Sequence, residues 1–294
     1  MGALSFTSTA VSSALRGLQH TTDLIRATSL EVTILAGHLL LYPTGVLQEQ
    51  LGAEYAKRVL PQQQDGACEA SAGATQADRP MQTANSTQPP VLLLHGFVDN
   101  RSVFAVLRRS LRRNGWEHVQ AINYSPLTSD IRRAAEILGR HVEKVCEQSG
   151  HERLDIVGHS LGGLIARYYA QRLGGDARVR TVVTLAAPHS GTRAVPLAST
   201  HPIVRQMRPN SELIAELALP APGCSTRFIA FWSGVDQLMV PVESARLEHP
   251  DLITQNIEVR GIGHLAMPVN GTVATAIRQA LQGAPPPMGA VDAA

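Results

Sequence analysis

Leu154-Asp155-Ile156-Val157-Gly158-His159-Ser160-Leu161-Gly162-Gly163 is the stretch that decides the fold of this chain. A largely apolar run leads straight into Gly-x-Ser-x-Gly, and a helical pattern starts at once, predicting a helix over Leu161–Leu173. A strand, a tight turn and a helix in that order thrust a serine hydroxyl out at the carboxyl edge of a sheet. Glycines at 158 and 162 let strand and helix approach with no side chain between them. The serine also sits at a helix N-terminus, where unpaired N–H groups and the helix dipole favour developing negative charge. A bare Gly-x-Ser-x-Gly also arises by chance in glycine-rich loops. The strand before it and the helix after it single out Ser160 as a nucleophile.

Working outward, short apolar runs predict strands at Val91–His95, His118–Tyr124, Leu154–Gly158, Val179–Ala186, Arg227–Trp232 and Asn256–Arg260. Helical periodicity predicts Asn100–Asn114, Ser129–Gln148 and Thr272–Leu281 in addition to the helix behind the serine. Strands alternating with helices imply right-handed crossovers and an α/β fold: a mostly parallel sheet of about six strands flanked by helices. Residues 189–224 interrupt the alternation with one short helical pattern near Ser211–Leu219, placed as a small cap-like insertion. Upstream, residues 1–60 read as an N-terminal helical extension. Residues 61–90, rich in Gln, Ala, Ser, Thr, Gly and Pro, read as a flexible linker. The catalytic domain then spans 91–283, and 284–294 form a Pro/Ala tail expected to be disordered.

Composition excludes several function classes. Of 294 residues, 44% are hydrophobic and 17% charged, as in a globular domain with a substantial core. A net charge of +2 gives no electrostatic case for nucleic acid. Three scattered cysteines, Cys68, Cys146 and Cys224, form neither a Cys-x-x-Cys pair nor a disulfide framework, with a single Cys146–Cys224 bridge the one alternative. No metal and no cofactor are expected. No basic cluster followed by an apolar run opens the chain, so the expected location is cytoplasmic or peripherally membrane-associated. The charge-free stretch Val32–Leu47 falls short of the ~20 residues of a membrane span and reads as an apolar helix that packs on the body or meets a membrane surface through residues 1–60.

A serine hydroxyl needs a base, and the base needs an orienting acid. Behind a Gly-x-Ser-x-Gly turn of this kind the acid and then the histidine follow in the chain. Asp236, in the loop after Arg227–Trp232, is the first acid candidate, and Glu243 the second. His264 follows the last strand and Gly261-Ile262-Gly263, so it is the base candidate. His159 and His189 are placed to line the site rather than to accept the serine proton. The oxyanion of a tetrahedral intermediate needs preorganised N–H donors. Leu161, just after the nucleophile, is the candidate for one and Phe97 in His95-Gly96-Phe97 for the other, its ring walling an acyl pocket, with an ordinary strand-to-helix turn that buries Phe97 in the core as the alternative. Leu197 and Met207 are further candidate pocket residues.

Taken together, His95-Gly96-Phe97, the Gly158–Gly163 turn, Thr184-Leu185-Ala186-Ala187-Pro188-His189-Ser190-Gly191-Thr192, Asp236 and Gly263-His264 resemble the bacterial lipase/esterase branch of the α/β-hydrolase superfamily. The resemblance covers about residues 91–281. It implies the α/β-hydrolase fold and carboxylester hydrolysis through an acyl-enzyme, with an ester or lipid of an apolar acid as substrate. The single-glycine turn at 95–97 resembles the type associated with medium and long acyl chains. Residues 1–90 have no counterpart in the resemblance, and 189–224 are short for a large lid. The same scaffold also suits an acyltransferase, amidase or peptidase. A third reading is a non-catalytic, membrane-associated binding protein using residues 1–60 and the arginines of Asn100–Asn114.

Overall fold

All four side chains of β1 (Val91–Leu94) are buried, and they split between two faces. Leu92 and Leu94 join one apolar cluster, Val91 and Leu93 the other. That division follows from the two-residue period of a strand and means helices must cover both faces of the sheet. The computed structural model describes residues 28, 87–97, 99, 101–122, 130–195, 199–283 and 291–292. Most of the N-terminal extension and linker, with Leu197 and most of the tail, lies outside the described residues.

After β1 come α1 (Ala105–Arg113), β2 (Val119–Ile122), α2 (Ile131–Ser149), β3 (Leu154–His159), α3 (Leu161–Arg172) and β4 (Val179–Leu185). Two short helices follow, α4 (Pro202–Gln206) and α5 (Glu212–Ala218), then β5 (Arg227–Trp232), β6 (Ile253–Arg260) and α6 (Gly271–Leu281). The strand order is β2-β1-β3-β4-β5-β6, every neighbouring pair parallel. A seventh strand, β7 (Val291–Asp292), pairs with Val259 and Arg260 of β6, which corrects the expectation of a wholly disordered 284–294. Val291 is buried in the same cluster as α6, so an apolar contact holds the segment there.

Helices α2 and α3 cover one face and α1 and α6 the other. Helix α2 starts at Asp130, whose carboxylate accepts from the Arg132 N–H, and stops at Gly150, which takes a left-handed φ of 71°. Helix α5 is capped by the Ser211 hydroxyl, and its Leu213 and Leu217 are fully buried. Cys146 and Cys224 are both free thiols.

Asp155 breaks the apolar run of β3. Its side chain is fully buried, and Arg180 of β4 grips it with two hydrogen bonds of 3.0 and 2.6 Å while donating to the Leu281 carbonyl at 2.8 Å. Burial pushes the Asp155 carboxyl above the ordinary carboxylate range, and Arg180 pulls against that shift. Arg180→Met leaves the carboxyl without its partner and should destabilise the fold by about 3 kcal/mol in urea unfolding at pH 7. A carboxyl with a raised folded pKa binds its proton more tightly folded than unfolded. The loss is therefore largest at neutral pH and shrinks as pH falls through the folded pKa. A pH-independent loss would refute this account.

Candidate active site

Ser160 occupies the turn between β3 and α3 with φ 52° and ψ −117°. A positive φ is unfavourable for a residue with a side chain, so the packing around the turn must impose it. The imposing contacts are backbone on backbone. A Cβ on Gly158 would meet the carbonyl of Gly162 at 2.6 Å, and one on Gly162 would drive into the Leu94 carbonyl of β1. The Ser160 N–H donates to the Leu185 carbonyl at 2.8 Å, which ties the turn to β4. Leu161 opens α3 and buries its side chain in the core, so only its backbone can face the site.

Asp236 lies in the loop after β5 with its side chain fully buried. Its Oδ1 accepts from the N–H groups of Leu238 (2.8 Å) and Met239 (3.0 Å), and its Oδ2 receives Nδ1–H of His264 at 2.9 Å. With Nδ1 holding the proton toward the carboxylate, the other ring nitrogen of His264 is left as the basic one. Glu243 sits in a 3-10 turn, Val242–Ala245, and lines a neighbouring cavity with Arg167 and His189. Thr192 fixes the acid loop from the other side. Its hydroxyl donates to the Leu238 carbonyl at 2.8 Å and accepts from the Val240 N–H at 3.0 Å. Gly191 precedes it at φ 82°, because a Cβ there would meet the backbone of Arg208 and Pro209.

Ser160 and His264 line one cavity of about 250 Å³. Phe97, His159 and Met207 line it too, with Val195, Val204, Leu238, Met239 and Leu265 adding apolar wall. Phe97 is 39% exposed at the mouth, its ring edge-on to His201 at 5.3 Å. A larger groove of about 540 Å³ past Asp130, Arg205 and Glu212 has no histidine in its lining.

His189 is elsewhere. The sequence pattern puts it in the substrate pocket, but it lines the cavity of Arg167 and Glu243 instead. Its Nε2 lies 2.9 Å from the Thr184 hydroxyl. Burial, with Arg167 nearby, holds its imidazole well below the ordinary histidine range, so it stays neutral. Arg167, itself buried, donates to the carbonyls of His189 and Leu217, which fastens the Pro188–Thr192 segment to α3. His159 lines the cavity, but its ring nitrogens face Asp99 and the His264 carbonyl rather than open space. Asp99, absent from the sequence-derived candidates, is 7% exposed and also lines the cavity. No three-residue cluster suited to a metal ion occurs among the described residues.

A family model for the α/β-hydrolase fold matches residues 89–207. Among solved structures, the mature lipase BlEst2 of Bacillus licheniformis superposes with a TM-score of 0.57 at 15% identity, over 69% of this chain and 95% of that one. Lipase B of Aspergillus fumigatus gives 0.57 at 16% identity, over 70% of this chain and 56% of that one. A gene product of Listeria innocua gives 0.53 at 15%, over 70% and 99%. At such identities the likeness is one of fold.

Proposed function

The chain has the α/β-hydrolase fold, and on that premise we propose that it is a serine carboxylester hydrolase acting on esters of apolar acids. The observation that carries the proposal is the buried 2.9 Å bond from His264 to Asp236, with His264 and Ser160 lining one apolar cavity.

In this reading Ser160 Oγ attacks the ester carbonyl carbon while His264 Nε2 takes the hydroxyl proton. Asp236 holds the tautomer and stabilises the imidazolium. The carbonyl oxygen becomes an oxyanion, met by the N–H of Leu161, which opens a helix and has no intrahelical partner, and by the N–H of Phe97. Collapse breaks the bond to the alcohol oxygen, which leaves with the proton from His264. Water then attacks the acyl-enzyme by the same path and releases the acid and free Ser160.

The cavity bounds the acyl chain. At roughly 30 Å³ per methylene-sized or water-sized group, about 250 Å³ holds roughly eight carbons. Each buried methylene contributes about 0.8 kcal/mol, so kcat/KM on p-nitrophenyl esters should climb about tenfold per two carbons and level off near C8. Val195→Trp fills part of the apolar wall and should move the optimum to shorter chains while sparing the acetate ester. A chain-length profile that Val195→Trp does not shift would refute the assignment of this cavity to the acyl group. Negligible ester hydrolysis beside rapid acyl transfer to an added alcohol or amine would replace the hydrolase reading with an acyltransferase.

A further inference from the structure

His159 precedes the nucleophile in the chain, and its side chain is 1% exposed, as is that of Asp99. Its Nδ1 lies 2.8 Å from Asp99 Oδ2, and its Nε2 lies 3.1 Å from the backbone carbonyl of His264. A carbonyl oxygen can only accept, and a carboxylate can only accept. Nε2 of His159 therefore donates to the His264 carbonyl, and one proton joins Nδ1 to the Asp99 carboxyl. The imidazole of His264 packs against this ring, centroid to centroid 4.8 Å.

We infer that Asp99 and His159 are positioning residues: their hydrogen-bond chain holds the His264 backbone against the Ser160 turn. Three separate segments meet at this pair. Asp99 belongs to the segment after the Gly96-Phe97 turn, His159 to the nucleophile turn, and the accepting carbonyl to the base loop. The Gly96 turn lies directly on the pair, since a Cβ there would come within 2.8 Å of Asp99 Oδ2 and 3.1 Å of His159 Nδ1. Buried ion pairs contribute little stability beyond what an apolar pair of equal volume would. An apolar pair, however, would remove the His159 bond to the His264 carbonyl and leave the 3.4 Å bond from the Met267 N–H to hold that oxygen. A base displaced by about 1 Å loses on the order of 100-fold in rate, which is the consequence the pair prevents. The inference rests on Ser160 and His264 being the nucleophile and base of the proposed hydrolase.

The test measures kcat and KM on p-nitrophenyl octanoate, together with the rate of inactivation by an alkyl fluorophosphonate, for the full chain and four variants. Asp99→Leu and His159→Gln should each lower kcat and the inactivation rate about 100-fold, with KM within about threefold, because geometry rather than binding is lost. A lone glutamine amide cannot donate to both Asp99 and the carbonyl. Asp99→Asn should recover to within about fivefold of wild type, because its amide donates to Nδ1 of a neutral His159 whose Nε2–H still reaches the carbonyl. The double variant Asp99→Asn/His159→Gln should likewise exceed His159→Gln. In it the introduced asparagine amide can donate to the glutamine side-chain oxygen, and the glutamine amide to the His264 carbonyl. If Asp99→Asn is as slow as Asp99→Leu, or the double variant no better than His159→Gln, the inference is overturned. Should Asp99→Leu fail to fold, the comparison of His159→Gln with the double variant still decides. If wild type cleaves no ester yet reacts with the fluorophosphonate, the hydrolase reading fails, and the inactivation rates still test the positioning.

Discussion

Asp236→Asn should lower kcat about 10,000-fold while leaving KM and folding nearly intact. The reason is a forced amide orientation. Two backbone N–H groups, of Leu238 and Met239, converge on Oδ1, so the asparagine oxygen must stay there. Its NH2 then takes the place of Oδ2 and points a proton at His264 Nδ1, 2.9 Å away in the native protein. Nδ1 is obliged to accept, the ring proton moves to Nε2, and Nε2 has no lone pair with which to receive the serine proton. Steady-state kinetics on a p-nitrophenyl ester, beside a urea unfolding curve, checks both halves. A loss of only a few-fold would mean that Asp236 does not orient the base. Glu243→Gln then serves as the control, and on the geometry it should be mild, because Glu243 lines the neighbouring cavity.

Ser160→Ala should remove more, about 100,000-fold to 1,000,000-fold in kcat, because it deletes the hydroxyl that attacks the ester in the proposed mechanism. Residual turnover over water would come from the oxyanion donors and substrate binding alone. Stability should change little. The φ of 52° is as unfavourable for alanine as for serine, and the Ser160 hydroxyl has no part in the contacts that impose it. Fluorophosphonate labelling should vanish with the hydroxyl. Ester turnover at near wild-type rate in a folded Ser160→Ala protein would refute the nucleophile assignment. Absence of labelling in the folded wild type would favour the non-catalytic binding reading instead.

The elements were legible because their signals are local. The runs read as strands recur within a few residues of their observed bounds, and Arg227–Trp232 matches to the residue. The misses were of two kinds. β6 begins at Ile253, three residues before the apolar pattern does, because pairing with β5 rests on backbone hydrogen bonds and Ile253 itself is 56% exposed. β7 and α4 are two and five residues long, too short for any periodicity, although Pro202 at the start of α4 is a usable mark.

The site divides along the same line. Ser160, Asp236 and His264 could be picked out as candidates by chain order, since each follows a strand at the same edge of a parallel sheet. Order along the chain constrains which loop a residue occupies but not where its side chain turns. His189 and His159 looked equivalent as sequence, two histidines beside strand ends. Only the packed structure sends one into the neighbouring cavity under Thr184 and Arg167, and locks the other between Asp99 and the His264 carbonyl. Asp99 was invisible for the same reason: its partner is sixty residues away, and nothing in a local pattern marks it. The sequence by itself determined the serine turn, because glycine spacing and strand–helix succession are local and steric. The tertiary structure decided what surrounds Ser160, because burial and hydrogen-bond partnership between distant loops depend on how the sheet brings them together.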